Sequence, residues 1–105
     1  LYASHACLTL ASDFDPWPLV VLESCANGLP VIVTDRCTNH YEFVRRNGLV
    51  VRRGDVEGFA RALLRMERNR TDFDVAEGRR RAADYSCAAW CGKIRRIAEQ
   101  LKVGI

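Results

Sequence analysis

Short apolar runs alternate with polar breaks along this chain, and their spacing predicts a succession of small strands and helices. Ala6-Cys7-Leu8-Thr9-Leu10-Ala11, closed by Ser12-Asp13, has the length and composition of a buried strand. Asp15-Pro16-Trp17-Pro18 must be loop, because two prolines fix φ and lack backbone donors. From Leu19 to Gly28 the valines favour strand, yet Pro18 suits the first turn of a helix and Gly28 its C-terminal cap, so a helix is expected. Pro30-Val31-Ile32-Val33-Thr34 is a continuous β-branched run, the pattern of a strand in a parallel sheet covered on both faces.

Beyond a polar loop over 35–39, a short helix is expected over 40–46, with Tyr41, Phe43 and Val44 as candidates to face inward. Asn47-Gly48 turns the chain into a strand over 49–51. Gly54-Asp55 begins the next helix, with Asp55 as its cap and Phe59, Leu63 and Met66 recurring at the helical period. Residues 69–74 form a polar break, and the last third reads as helical. Ser86 caps a terminal helix over 86–102, in which Cys87, Trp90, Cys91, Ile94, Ile97, Ala98 and Leu101 share one face. Arg95, Arg96, Glu99 and Lys102 line the other. An apolar face of that size requires a partner surface, and Trp90 is read as packing. The order β-α-β-α-β-α-α predicts an α/β layer with a small parallel sheet.

Composition narrows this picture. At 105 residues, 49% hydrophobic and 28% charged, the chain has room for one domain with one modest core. No run approaches the roughly 18 to 20 apolar residues of a membrane span. The opening Leu1-Tyr2, without Met or a polar lead-in, reads as a cut inside a longer protein. Charge is split unevenly, with residues 1–44 at −4 and residues 45–105 at +7, and 14 of the 16 cations are arginine. Solvated helix faces account for such a run, and a polyanion or an anionic membrane surface is the alternative. The five cysteines are odd in number and mostly lie in apolar stretches, with Cys87 and Cys91 at core spacing. They suggest a reducing, cytoplasmic compartment rather than a disulfide framework. With His5 and His40 as the two histidines, no metal site is expected.

Two carboxylates stand out by placement. Asp15 lies in the proline-flanked loop after the first strand, and Glu23 lies in the helix that follows. The crevice beyond the carboxyl end of a parallel strand is where open α/β sheets bind ligands. The helix N-terminus there offers free N–H groups and a dipole that favours phosphate. Pro18 has no N–H, so Leu19 and Val20 would be the donors. A phosphate near Leu19, with carboxylates to accept hydrogen bonds from hydroxyls, would suit a sugar nucleotide. Two solvated carboxylates are the plainer reading. His40 is read as a capping or surface residue rather than a base, Trp17 as a loop aromatic packed on its own core, and Arg79-Arg80-Arg81 as a solvated helix end.

The block from Asp15 to Asp35, Asp-Pro-Trp-Pro-Leu-Val-Val-Leu-Glu-Ser-Cys-Ala-Asn-Gly-Leu-Pro-Val-Ile-Val-Thr-Asp, resembles the E-x7-E region of retaining GT-B glycosyltransferases of the glycosyltransferase family 4 type. The resemblance extends to Leu1-Tyr2-Ala3-Ser4 as a helix end, to Asn47-Gly48-Leu49-Val50-Val51, to Gly54-Asp55, and to Tyr85-Ser86 at the start of the terminal helix. It implies a partial Rossmann-like parallel sheet with flanking helices, residues 1–105 forming one partial domain cut before its first strands. By the same resemblance Glu23 accepts hydrogen bonds from the donor's ribose, Asp15 binds the donor sugar and supports an oxocarbenium-like transition state, and the amides of Trp17, Leu19 and Val20 face the sugar and diphosphate. The partners implied are a nucleoside diphosphate sugar, a glycan or lipid-linked acceptor and a missing N-terminal acceptor domain, with neither cofactor nor metal and with retention by same-face attack.

This chain also departs from the family pattern. Asp15 stands for a glutamate one methylene longer, Pro18 for a glycine, and Arg36-Cys37-Thr38-Asn39 for a Gly-Gly loop, in a form that resembles lipopolysaccharide-core glucosyltransferases. The family's upstream diphosphate-binding Arg and Lys lie outside the chain. A fragment of this kind is expected to be inactive alone, to reside in the cytoplasm, and to associate at most peripherally with the inner face of the plasma membrane. The competing reading is a non-catalytic, arginine-rich module that binds nucleic acid or another polyanion. It lacks any reader motif, so no nucleic acid partner is expected.

Overall fold

In the computed structural model, which describes residues 6–101, the first strand is Leu8–Leu10 (β1), shorter than the apolar run around it. Leu19–Ala26 is a helix (α1), followed by Val31–Thr34 (β2), the short helix His40–Phe43 (α2) and Gly48–Val51 (β3). Then come Val56–Arg68 (α3), a 3₁₀ turn at Arg70–Asp72, Val75–Ala83 (α4) and Cys87–Gln100 (α5). The helix end read at residues 1–4, and position 102 of the terminal helix, lie outside the described residues.

The sheet is wholly parallel with order β1-β2-β3. All four residues of β2 are buried, as expected of a central strand covered on both faces. Val31 and Val33 pack with Val21 and Cys25 of α1, Phe43 of α2 and Ala82 of α4. Ile32 packs on the opposite side with Ala62 and Met66 of α3 and with Phe73. Gly48 pairs with Val31, and a β-carbon there would come within 2.3 Å of the Val31 carbonyl oxygen, so only glycine fits this register.

Gly28, at φ 71°, ends α1: its N–H donates to the Cys25 carbonyl and that of Leu29 to the Ser24 carbonyl, both at 3.0 Å. This cap carries the chain directly into β2. Asp55 and Ser86 cap α3 and α5 as the pattern predicts, through Gly58 N–H at 2.8 Å and Ala89 N–H at 3.1 Å.

Four expectations about individual elements need correction. The short helix stops at Phe43 rather than Arg46, because Asn47 turns the chain by accepting from Arg45 N–H (2.8 Å) and donating to the Phe43 carbonyl (2.9 Å). Phe43 and Val44 face inward, but Tyr41, about 200° round the helix from Phe43, is 66% exposed. On α3 the buried positions are Ala62 and Met66, while Leu63 is exposed. The last third holds two helices. In α4 the buried residues are the small Gly78 and Ala82 together with Glu77, whose carboxylate is paired with Arg46 (3.2 Å) and Arg81 (3.4 Å). In α5 the apolar face buries nothing: Trp90 is half exposed, and Cys87 and Cys91 are exposed rather than core thiols.

Candidate functional site

All five singled-out residues, Asp15, Trp17, Leu19, Val20 and Glu23, belong to one loop-to-helix passage whose loop backbone is fastened from beneath. Asp15 forms an isolated parallel bridge with Cys37: its N–H donates to the Arg36 carbonyl, and Thr38 N–H donates to the Asp15 carbonyl, both at 3.0 Å. The Thr38 hydroxyl donates to the Pro16 carbonyl. The wholly buried Asn39 donates from Nδ2 to the Pro18 carbonyl at 3.0 Å. One step earlier, the Thr34 hydroxyl donates to the Ser12 carbonyl at 2.6 Å. The loop after β1 therefore rests along its length on the loop after β2, and both leave the carboxyl ends of parallel strands.

The half-buried Asp15 carboxylate turns back along this loop, where Oδ1 accepts from the Trp17 N–H at 3.3 Å. That amide is thereby directed at Asp15. The Trp17 ring packs against Phe43 (centroids 5.7 Å apart) and Tyr85 (6.0 Å), as a loop aromatic seated on its own core does, and stays 41% exposed.

Pro18 occupies the N-cap of α1 rather than its first turn, and it supplies no side-chain cap. The Leu19 and Val20 amides thus open the helix without a side-chain acceptor from the capping residue. Their side chains are exposed, whereas Val21, Ser24 and Cys25 turn into the core. Glu23, one turn along and exposed, shares the outer face with Leu19 and Val20 at helical i,i+4 and i,i+3 spacing. The passage thus offers a carboxylate in the loop, first-turn amides at the helix end and a second carboxylate on the exposed side of the helix. Amides at a helix N-terminus attract an anion, and carboxylates beside them accept hydrogen bonds from hydroxyls.

Sequence reasoning passes over Asn39 and reads His40 as a capping or surface residue, whereas His40 is partly buried. Asn39 is indistinguishable in sequence from a solvated loop residue; only burial reveals that it holds Pro18, and its Oδ1 has no partner. His40 stacks on Tyr41 (4.0 Å), and its Nε2 is buried without a partner. Burial pushes its pKa below the usual histidine value, against the opposing pull of the Asp35 charge.

A cavity of about 400 Å³ lies elsewhere, over the α3 side of the strand ends, lined by Ala11, Thr34, Arg52, Val56, Phe59 and Leu63 among others. It includes none of Asp15, Leu19, Val20 or Glu23. Among the described residues no group of three or more His, Cys, Asp or Glu side chains is placed to hold a metal ion.

The family model of the group 1 glycosyl transferases matches residues 1–69. The lipopolysaccharide core biosynthesis glycosyltransferase LpsE of Rhizobium meliloti (strain 1021) is 46% identical over 56 residues, which are 51% of this chain and 16% of that protein. Among solved structures, sucrose-phosphate synthase from Thermosynechococcus elongatus superposes with a TM-score of 0.78 at 26% identity, over 95% of this chain and 26% of the synthase. The chain therefore spans about a sixth of the one relative and about a quarter of the other.

Proposed function

Because the chain belongs to the group 1 glycosyl transferases, we propose that it is the donor-binding part of a glycosyltransferase that moves a sugar from a nucleoside diphosphate to a glycan or lipid-linked acceptor. The observation that carries this reading is the first turn of α1, which has no side-chain cap and leaves the Leu19 and Val20 amides at the helix end, set after the loop that carries Asp15 at the carboxyl end of β1 and before Glu23 on the exposed side of the same helix. In this reading the donor's diphosphate lies against the first turn of α1, where the N–H groups and the helix dipole favour it. Glu23 accepts hydrogen bonds from the ribose hydroxyls. Asp15 accepts from the sugar hydroxyls and opposes the positive charge that develops at the anomeric carbon as the bond to phosphate lengthens.

With the GT-B arrangement the acceptor attacks from the face the phosphate leaves, giving retention without a protein nucleophile, and the donor is a substrate rather than a cofactor. The acceptor domain and the diphosphate cations are supplied by a longer polypeptide, of which residues 1–105 are a partial domain inactive by itself. The likeness to LpsE supports a cell-envelope saccharide as acceptor and a cytoplasmic or peripheral location. No helix among the described residues is long and apolar enough to cross a membrane. The nucleic-acid reading finds no support in the comparisons.

Isothermal titration with UDP, GDP and ADP and with their glucose or mannose conjugates tests the proposal. One nucleotide series binds, and Glu23→Ala weakens it at least about tenfold, the loss of a pair of hydrogen bonds to a charged group. Binding that is indifferent to Glu23→Ala, or absent for all three series, overturns the assignment.

A further inference from the structure

A cavity of about 520 Å³ lies at the amino ends of the strands, the opposite end of the sheet from Asp15 and the first turn of α1. Ala6 leads into β1 and Leu29-Pro30 into β2 on one side of it, and the turn after α3 and the start of α4 close the other. Two arginines from these separate elements line it, Arg70 from the turn and Arg79 from the second turn of α4. Arg79 is seated against Gly28, where a β-carbon would come within 2.6 Å of its Nη2. Among the described residues neither guanidinium has an ion-pair or hydrogen-bond partner, and no carboxylate lines the cavity. Other arginines do find acids: Arg46 and Arg81 share Glu77, Arg53 meets Asp13 and Arg61 meets Glu57. The nearby Asp74 is engaged at the cap of α4, where it accepts from Glu77 N–H at 3.1 Å.

A plainer use accounts for one of the two. A cation beside Gly28 complements the carbonyl end of α1, which explains Arg79. It does not explain Arg70, which comes from another element and lines the same cavity. Two planar guanidinium groups without an internal acid match the oxygens of a phosphate dianion, to which each offers a fork of N–H donors. The rest of the lining suits a hydroxylated ester better than a bare ion. Asn27 donates from Nδ2 to the Glu23 carbonyl (2.8 Å) and keeps Oδ1 to accept from a hydroxyl, Thr71 offers its own hydroxyl, and Pro30 and Phe73 supply an apolar wall. The volume lies within the range of small-molecule pockets. A domain that completes the donor site would approach the carboxyl ends of the strands, away from this cavity. Further strands would join the open edge of β1, whereas Leu29 and Pro30 lead into the central strand β2.

We propose that this cavity is an anion site separate from the proposed donor site, and that it binds a soluble phosphate monoester of sugar size with Arg70 and Arg79 on the phosphate. The inference stands apart from sugar transfer and holds or fails without it. Isothermal titration of the 105-residue chain with glucose 6-phosphate at about 0.15 M salt, with glucose and inorganic phosphate alongside, tests it. The ester binds saturably and at least about tenfold more tightly than inorganic phosphate, glucose does not bind, and excess UDP fails to displace the ester. Arg70→Ala and Arg79→Lys each weaken the ester at least about tenfold, because the first removes a charged donor and the second its fork. Thermal unfolding of both stays native, since Arg70 is exposed and lysine keeps the charge at the end of α1. Arg95→Ala, on α5, leaves the affinity unchanged. Absence of saturable binding, displacement by UDP, equal affinity for inorganic phosphate as for an adventitious ion only, or the same loss in Arg95→Ala as in Arg70→Ala would each overturn the proposal.

Discussion

Replacing Asn47 by alanine removes a side chain that joins α1, α2 and the entry to β3. Asn47 is wholly buried. Its Nδ2 donates to the Phe43 carbonyl at 2.9 Å and approaches the Cys25 sulfur at 3.5 Å, and its Oδ1 accepts from Arg45 N–H at 2.8 Å. Alanine leaves the Arg45 amide without its side-chain acceptor and the Phe43 carbonyl with only the long Cys25 thiol contact at 3.8 Å, and a buried group so deprived costs about 1–3 kcal/mol. The weak sulfur contact adds little, so the sum is about 3 kcal/mol, a large share of the 5–15 kcal/mol that typically holds a domain together. Urea unfolding followed by circular dichroism should show a midpoint lower by about 2 M, given slopes of about 1–3 kcal/mol/M. Asn47→Asp separates the two bonds. It keeps the acceptor and loses the donor, so near neutrality it destabilises comparably, and on acidification it regains part of the deficit relative to the native chain, because a protonated carboxyl can donate to Phe43. A loss below about 1 kcal/mol in Asn47→Ala, or no acid recovery in Asn47→Asp, would sink this account of the junction.

Three further outcomes follow from single groups. His40 has a folded pKa depressed mainly by burial, so its contribution to stability is complete above the unfolded value of about 6.5 and is lost as pH falls from there toward the folded value; His40→Gln should flatten that part of the stability profile. Cys87 and Cys91 are exposed, while Cys25 and Cys37 are buried and burial raises the Cys25 thiol to about 11, so Ellman's reagent at mildly alkaline pH should titrate two thiols rapidly in the native chain and all five in urea. Gly48→Ala should cost about 1–3 kcal/mol of overpacking in thermal unfolding, because the new β-carbon meets the Val31 carbonyl and the register leaves it nowhere to go.

The strands and α1 were legible because each has a local cause in the chain. Val31-Ile32-Val33 is buried on both faces and reads as an unbroken β-branched run, and α1, ambiguous by its valines, is settled by the proline before it and the glycine after it. Helix α4 was illegible as a separate element. It packs through Ala82 against Val21 and Cys25 and through Gly78 against Asn47, small residues with almost no hydrophobic signal, and its buried charge Glu77 is satisfied by Arg46 from far along the chain. In α5 the period is legible, but periodicity shows only that a helix is two-sided and is silent about what covers the apolar side, which the described residues leave exposed. The proposed site divides similarly. Asp15 and Glu23 are candidates by their position after a strand, whereas Asn39 acts through a bond to the Pro18 carbonyl that no spacing rule reveals.

The departure of Asp15 from the longer glutamate gains a definite meaning from the structure. A carboxylate short by one C–C bond, about 1.5 Å, can still reach its target if its backbone advances. Here the backbone is held on both sides of the residue, through its own N–H to Arg36 and its carbonyl to Thr38, and the adjoining Pro16 and Pro18 carbonyls are held by Thr38 and Asn39. Moving the loop forward would break several of these bonds at about 1 kcal/mol each, more than one improved sugar contact returns. The carboxylate also has an internal partner in the Trp17 amide. In the proposed donor site the shortening is therefore a change of pocket shape rather than a deficit the loop can absorb. The sugar must come deeper by that amount, or a water must bridge the gap, and donor selectivity rather than loop position is where the substitution should be felt.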